Sequence, residues 1–351
     1  MRAAQIVEWG ERLVVQEADR PEPKGREVLL KVTACGICHS DIHIWDGYFD
    51  LGGDAKLDMA ERGLKLPFTM GHEPLGEVVA MGPEADGVEL GDRRILYPWI
   101  GCGECDMCQR DEEINCPTPK TVGTRVAGGF AEYVMAPDSK YLVPFDGLGE
   151  DLACTYACSS LTAYSALKKL DHLRDDDTTL IIGAGGVGMS GVGMAKAVIK
   201  GRVVVADTDP EKRAAARQAG ADEVLDNSEP DALAKLMAMT GGKGVMGAVD
   251  FVGAPATGQF AFHALRKGAK MVMVGLYGGA MPLSNALVPI KAVILQGSYV
   301  GTIEELKEIL ELARQGKVTP IPVTTRPLND APQAIQDLRD GKVLGRVVLK
   351  P

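Results

Sequence analysis

Two textures divide the chain. From Thr179 onward, short apolar runs alternate with Ala-rich segments of helical period, the pattern of a parallel sheet joined by crossover helices. Thr179–Ile182 reads as a strand, Gly188–Lys200 as a helix and Arg202–Ala206 as a second strand. Pro210–Ala219 reads as the next helix, with proline in its first turn, where a missing N–H is harmless. Glu223–Leu225, Gly247–Val252, Lys270–Val274 and Val293–Gln296 supply further strands, and Gly241, Gly242 and Gly244 punctuate the series. Before about residue 155 the chain is rich in Gly, Pro and short β-type runs such as Val28–Val32 and Gly76–Val79. That texture predicts an irregular β-rich unit with few helices. A helix over Ile303–Gln315 and a strand over Arg346–Leu349 would complete this first unit if the chain re-enters it, which spacing alone does not establish.

Composition narrows the classes. At 351 residues the chain suits two domains, each with its own core, and 46% hydrophobic with 25% charged residues is ordinary globular usage. A net charge of −10 argues against a nucleic-acid surface, which needs a basic patch. No run approaches about 18 consecutive apolar residues, so no membrane span is expected. Met1-Arg2-Ala3-Ala4 leads straight into a strand-like run, so no secretory signal is expected either. Eight cysteines then fit metal ligation in a reducing cytoplasm better than disulfides.

Cys102, Cys105, Cys108 and Cys116 follow one another with two, two and seven residues between them. Two intervening residues let a tight turn aim successive thiolates at one point, and tetrahedral zinc takes four such ligands at about 2.3 Å. A closed four-thiolate site has no position for substrate. This zinc is structural.

Ile181-Ile-Gly-Ala-Gly-Gly-Val-Gly188 places Gly183, Gly185 and Gly188 in a G-x-G-x-x-G pattern between a strand and a helix. In that context, with Gly186 and Val187 between them, the turn reads as a pyrophosphate cradle at a helix N-terminus. Asp207 ends the next strand, 19 residues beyond Gly188, where a carboxylate accepts from the adenosine ribose and repels a 2′-phosphate. NAD is therefore expected over NADP. Lys212 and Arg213 begin the following helix, either within reach of that ribose or as a solvated face.

Cys35-Gly-Ile-Cys-His-Ser-Asp-Ile-His43 and Met70-Gly-His-Glu-Pro-Leu-Gly-Glu77 hold three of the chain's five histidines. Spacing gives these residues no fixed geometry. At this point a second metal site and an ordinary packed cluster both remain open.

These motifs, with Gly128-Gly-Phe-Ala-Glu-Tyr-Val134, the four-cysteine run and the glycine turn in the same order, resemble the medium-chain zinc-dependent alcohol dehydrogenases. The likeness spans nearly the whole chain, and the segment between Trp45 and Lys65 resembles tetrameric bacterial and archaeal members. It implies an α/β architecture: a β-rich GroES-like catalytic domain, 1–157 and 298–351, and a doubly wound Rossmann coenzyme domain, 158–297. It implies two zincs per subunit and NAD, with Cys38, His72 and Cys158 holding the catalytic zinc. Cys158 fits the family pattern better than nearby Cys154. Glu73 is implied as an adjacent or alternative ligand, and Asp41 as the carboxylate that orients His72.

Ser40 would accept the hydroxyl proton and pass it on through the nicotinamide ribose to His43, whose ordinary pKa lies near 6.5. The resemblance puts His39 and Arg346 on the coenzyme pyrophosphate, Val274, Leu276, Ser298 and Val300 beside the nicotinamide, and Trp45 and Trp99 along the substrate cleft. Cys35, Cys154, His172 and His263 read as packed residues. The implied activity is reversible oxidation of a primary or secondary alcohol, in a cytoplasmic homotetramer or dimer acting on a small molecule, with no nucleic acid or membrane partner. A polyol dehydrogenase or carbonyl reductase on the same scaffold, and a non-catalytic redox sensor binding NAD and zinc, are the competing readings.

Overall fold

A computed structural model describes residues 1–351. Six parallel strands form one sheet in the spatial order Glu223–Leu225, Arg202–Ala206, Thr178–Ile182, Val245–Asp250, Leu265–Met273, Ile294–Gly297. Numbered along the chain this is 3-2-1-4-5-6, so the strand order reverses beside Thr178–Ile182, where a doubly wound sheet opens its ligand crevice. That first strand is buried along its whole length, which explains its unbroken apolar run.

The second sheet runs Leu142–Val143, Arg93–Leu96, Glu73–Met81, Val28–Ile37, Arg346–Lys350, Val323–Pro327, with Tyr133–Ala136 also pairing onto Val28–Ile37. The last two strands come from the far end of the chain: Val347 pairs with Ile37 and Val348 with Gly36. The chain thus leaves this sheet, builds the parallel one, and returns. A smaller sheet joins Arg2–Ile6, Val14–Glu17 and Phe68–Thr69, and a separate hairpin joins Tyr48–Gly52 to Ala55–Asp58.

The helix Ser159–Lys168 stands between the two halves, against Gly186–Val198 and Ile303–Arg314. Nine of its ten residues are buried, so small and apolar side chains occupy every face. One apolar cluster runs from the β-rich half through this helix onto one face of the parallel sheet. No helix is long and apolar enough to cross a membrane.

The glycine-turn helix begins at Gly186, two residues before the expected start, with Gly185 as its cap. The strand expected from Lys270 begins at Leu265, because Leu265 already pairs with Val245 beyond a bulge. The helices Ala232–Met239, Pro255–Ala264 and Ala331–Arg339, the strand Val323–Pro327 and the hairpin were not anticipated.

Candidate active site

Cys38 ends the strand Val28–Ile37 and caps the helix His39–Asp46. The Asp41 carboxylate accepts the Cys38 amide at 2.8 Å with one oxygen and His72 Nδ1 at 3.0 Å with the other. One buried side chain thereby fixes both the helix start and the imidazole. His72 precedes the strand Glu73–Met81, while Cys158 caps Ser159–Lys168. The Sγ atoms of Cys38 and Cys158 lie 3.9 Å apart, and one donor atom each from Cys38, His72, Glu73 and Cys158 fall within 4.8 Å of one another. All four residues are buried.

His72 Nε2 is buried with no hydrogen-bond partner. An orphaned imidazole nitrogen facing two thiols is costly in a protein interior and is the arrangement a soft divalent metal satisfies. The Cys158 thiol donates to Cys38, and His72 and Arg346 stand near, so Cys38 sits well below an ordinary thiol despite its burial. Burial disfavours charge on His72, but Asp41 and Cys38 outweigh it and raise the ring. Glu73 differs from the other three. Its Oε1 accepts the Ser159 amide at 3.2 Å, and its Oε2 is ion-paired with buried Arg346. A Cβ at Gly36 would overlap that carboxylate, so Gly36 is what lets Glu73 cross the strand. The donors left free are two sulfurs and one nitrogen.

Cys102, Cys105, Cys108 and Cys116 converge with sulfur separations of 3.5 Å (105 to 108), 3.8 Å (105 to 116) and 3.9 Å (102 to 108). The amides of Glu104 and Cys105 donate to Cys102, drawing its thiol down to about 6, and the Cys102 amide donates to Cys116. Thiolates held by backbone N–H groups are ready ligands for a tetrahedral metal. Tight turns carry them, with single 3-10 helical turns at Cys108–Arg110 and Glu113–Asn115.

A cleft of about 550 Å³ separates the two halves, and Cys38 and Cys158 open onto it. Gly183, Gly185, Gly186, Val187 and Gly188 line one wall, with Asp207 and Lys212 at its end. A Cβ on Gly188 would overlap the Gly183 carbonyl, and Gly183 itself takes φ +88°, so the turn requires glycine at both positions. Asp207 braces the turn by accepting the Ala184 amide at 2.7 Å. His39, Ser40 and His43 present one face of their helix to the cleft, and His43 Nε2 is buried without a partner. Val274, Leu276, Ser298 and Val300 line the opposite side; Val300 has a left-handed backbone, φ +40°, uncommon for a β-branched residue.

Two expected site residues stand elsewhere. Trp45 is buried outside the cleft: its Nε1 donates to the Glu11 carbonyl at 2.5 Å and Arg339 covers its ring at 3.7 Å. Two residues beyond His43 is about 200° around a helix, which turns Trp45 to the opposite face. Arg213 does not line the cleft; it donates to the Asp207 carbonyl at 2.8 Å and pairs with Asp226 at 2.9 Å. Arg346 lines the cleft beneath Gly186 while committed to Glu73. Trp99 also lines it, 5.5 Å from the His72 ring. Phe49, Leu57 and Met59, from the unanticipated hairpin and the turn after it, complete the apolar wall. No sequence motif announced them. Cys35 and Cys154 are buried outside the metal-type clusters, and His172 meets the Met246 carbonyl at 3.3 Å.

Fold and site together define a zinc-type dehydrogenase with a dinucleotide crevice. Residues 24–147 match the alcohol dehydrogenase GroES-like domain, and 186–315 match the zinc-binding dehydrogenase domain. The chain is 38% identical to the NAD-dependent alcohol dehydrogenase of Saccharolobus solfataricus and 37% identical to that of Sulfurisphaera tokodaii, with both partners covered over 100% of their length. Its structure is similar to the alcohol dehydrogenase of the hyperthermophilic archaeon Aeropyrum pernix, with a TM-score of 0.90 at 32% identity and full coverage of both chains. The protein belongs to the medium-chain, zinc-dependent alcohol dehydrogenase family.

Proposed function

We propose that this protein reversibly oxidises a primary or secondary alcohol to the aldehyde or ketone and transfers the hydride to NAD. The observation that carries the reading is the convergence of two buried sulfurs and an unpartnered imidazole nitrogen on the cleft that the glycine turn opens. Zinc held by Cys38, His72 and Cys158 supplies a Lewis acid that makes an alcohol hydroxyl acidic near neutral pH. The four-cysteine lobe holds the second, structural zinc. We further assign residues 1–157 and 298–351 to the catalytic domain and 158–297 to the coenzyme domain. Eight free cysteines suit a reducing cytoplasm, and a homotetramer is the assembly we expect.

The chain's own residues then divide the work. Asp41 holds the His72 tautomer, leaving Nε2 directed at the metal position. The glycine turn and helix N-terminus receive the pyrophosphate, Asp207 the adenosine ribose, and Val274, Leu276, Ser298 and Val300 set the nicotinamide against the reacting carbon. Ser40 would take the hydroxyl proton, and His43, on the same face of the helix, would carry it toward solvent. Trp99, Phe49 and Leu57 keep water from the reacting carbon. The direct test is NADH formation on primary, secondary, cyclic and polyol substrates. A polyol preference selects the polyol dehydrogenase reading, and no turnover with any of them refutes the proposal.

Burial, aided by neighbouring His39, holds His43 below its ordinary pKa, so the ring is neutral at pH 7 and able to accept the proton. Alcohol oxidation is expected to fall as pH drops through that depressed value. His43→Gln should lose about 10²-fold in kcat at pH 7 and lose that acid limb. A pH–rate profile of both proteins checks this; an unchanged limb removes His43 from the relay.

Replacing Asp207 by serine removes both the ribose acceptor and the charge that repels a 2′-phosphate. The ratio of kcat/KM for NAD to that for NADP should fall about 10–100-fold, corresponding to roughly 1.4–2.7 kcal/mol. Parallel titrations with the two coenzymes measure the ratio, and an unchanged value would place the discrimination elsewhere.

A further inference from the structure

The chain carries a net charge of −10, yet five arginine and lysine side chains and only one carboxylate, Asp207, line the cleft. Three of the cations have an account. Arg346 pairs with Glu73, Arg339 pairs with Asp46, and Lys212 stands 3.8 Å from Asp209 at the adenosine end. Arg62 and Arg125 have none. Neither pairs with any carboxylate; Arg125 only donates to the Arg62 carbonyl at 2.9 Å.

Both arginines lie at the metal end of the cleft rather than the coenzyme end. Arg62 also lines an adjoining cavity of about 330 Å³ with Trp99, Thr121 and Tyr299. Trp99 is 5.5 Å from the His72 ring and 5.7 Å from the Tyr299 ring. The only carboxylate of that cavity, Glu113, is taken up by Lys140 at 2.8 Å, the Tyr141 hydroxyl at 2.6 Å and the Gly101 amide at 3.0 Å. Burial and then the charge of Arg62 hold Arg125 below its ordinary value, with Tyr299 opposing them; Arg125 is half-buried and Arg62 reaches solvent.

Both are carried on hydrogen-bonded turns. Asp58 accepts the Glu61 amide at 3.0 Å and its carbonyl accepts the Arg62 amide at 3.2 Å; the Arg125 amide donates to Thr121 at 2.9 Å. Two like charges held side by side, facing an apolar wall and a metal-type site, form an incomplete ion cluster. An anion completes it.

We propose that the substrate is an alcohol bearing an anionic group, carboxylate or phosphate ester, bound by Arg62 and Arg125 while its hydroxyl faces the open, cleft side of the metal site formed by Cys38, His72 and Cys158. The inference rests on the alcohol dehydrogenase reading and names its substrate class. The oxidation is unchanged: the carbinol carbon gives a hydride to NAD and its hydroxyl a proton to the relay, while the anionic group takes no part. A second cleft function follows for Tyr299 and Trp99, which separate the charged and reacting ends.

The test compares benzyl alcohol, 4-(hydroxymethyl)benzoate and 4-(hydroxymethyl)phenyl phosphate on the zinc-loaded enzyme with NAD. At least one anionic substrate should exceed benzyl alcohol in kcat/KM by about tenfold or more, and added salt should erode that advantage. Whichever anion gains more identifies the group. In the double variant Arg62→Gln/Arg125→Gln the anionic-to-neutral ratio should fall by about tenfold, and Arg62→Lys/Arg125→Lys should recover part of it. Oxidation of benzyl alcohol with no anionic preference, and no change of ratio in the glutamine variant, overturns the inference while leaving the alcohol dehydrogenase reading intact. If no substrate yields NADH, that reading fails, and equilibrium binding of 4-(hydroxymethyl)benzoate decides the anion site. A Kd about tenfold higher in the glutamine variant sustains it, and equal Kd values reject it.

Discussion

Cys38→Ser is expected to lower alcohol oxidation by at least about 10³-fold while one zinc per chain remains. Cys38 is one of only three free donors at its site, since both oxygens of Glu73 are already engaged. Serine is a poor zinc ligand at neutral pH, and with two donors left the metal is lost. The Lewis-acid contribution is worth several kcal/mol; about 4 kcal/mol corresponds to the stated 10³-fold. The four-cysteine lobe is built from a separate, continuous segment and should keep its metal. Elemental analysis beside steady-state kinetics checks both halves. Full turnover by a variant that has lost one zinc would remove the metal from the reaction.

Glu73→Gln should cost the largest share of stability. The Glu73–Arg346 pair joins the strand Glu73–Met81 to the last strand of the chain across the intervening Val28–Ile37, and it is closed to solvent on both sides. Burial raises the Glu73 carboxyl against the pull of Arg346. A guanidinium left in the interior without its partner costs about 3–5 kcal/mol, which should lower the thermal midpoint by roughly 5–10 °C. Replacing both partners, as in Glu73→Leu/Arg346→Leu, removes the stranded charge and should recover much of the loss. Thermal unfolding of the single and double variants separates these outcomes. Equal midpoints for wild type and Glu73→Gln would show that the pair does not hold the returning strand.

The sequence disclosed these features unevenly, for physical reasons. The parallel sheet was legible because its central strands, Thr178–Ile182 and Arg202–Ala206, are buried almost throughout and its turn glycines have no alternative: Gly188 has no room for a Cβ. The four-cysteine lobe was legible because its ligands lie within one local segment. The second cluster draws Cys38, His72 and Cys158 from three distant segments, so spacing left it open and only family resemblance joined them.

The hairpin Tyr48–Gly52 and Ala55–Asp58 escaped notice because its strands are only five and four residues long, too short for the alternation of Phe49 and Leu51, and of Ala55 and Leu57, to stand out, although Phe49, Leu51 and Leu57 line the cleft. Val323–Pro327 is a largely exposed edge strand and carries little hydrophobic signal. Trp45 was misplaced because aromatic character does not say which face of a helix a residue takes. Glu73 could be recognised as part of the site, but its long-range partner Arg346 lies 273 residues away and could not be read from either motif.

An anomalous difference map recorded at the zinc edge from crystals of the NAD complex tests the central claim most directly. The account predicts two peaks per chain, one inside the four-cysteine lobe and one bound by Cys38, His72 and Cys158 with its fourth position facing the nicotinamide. A single peak in the lobe, or a second zinc closed by four protein ligands, would contradict it.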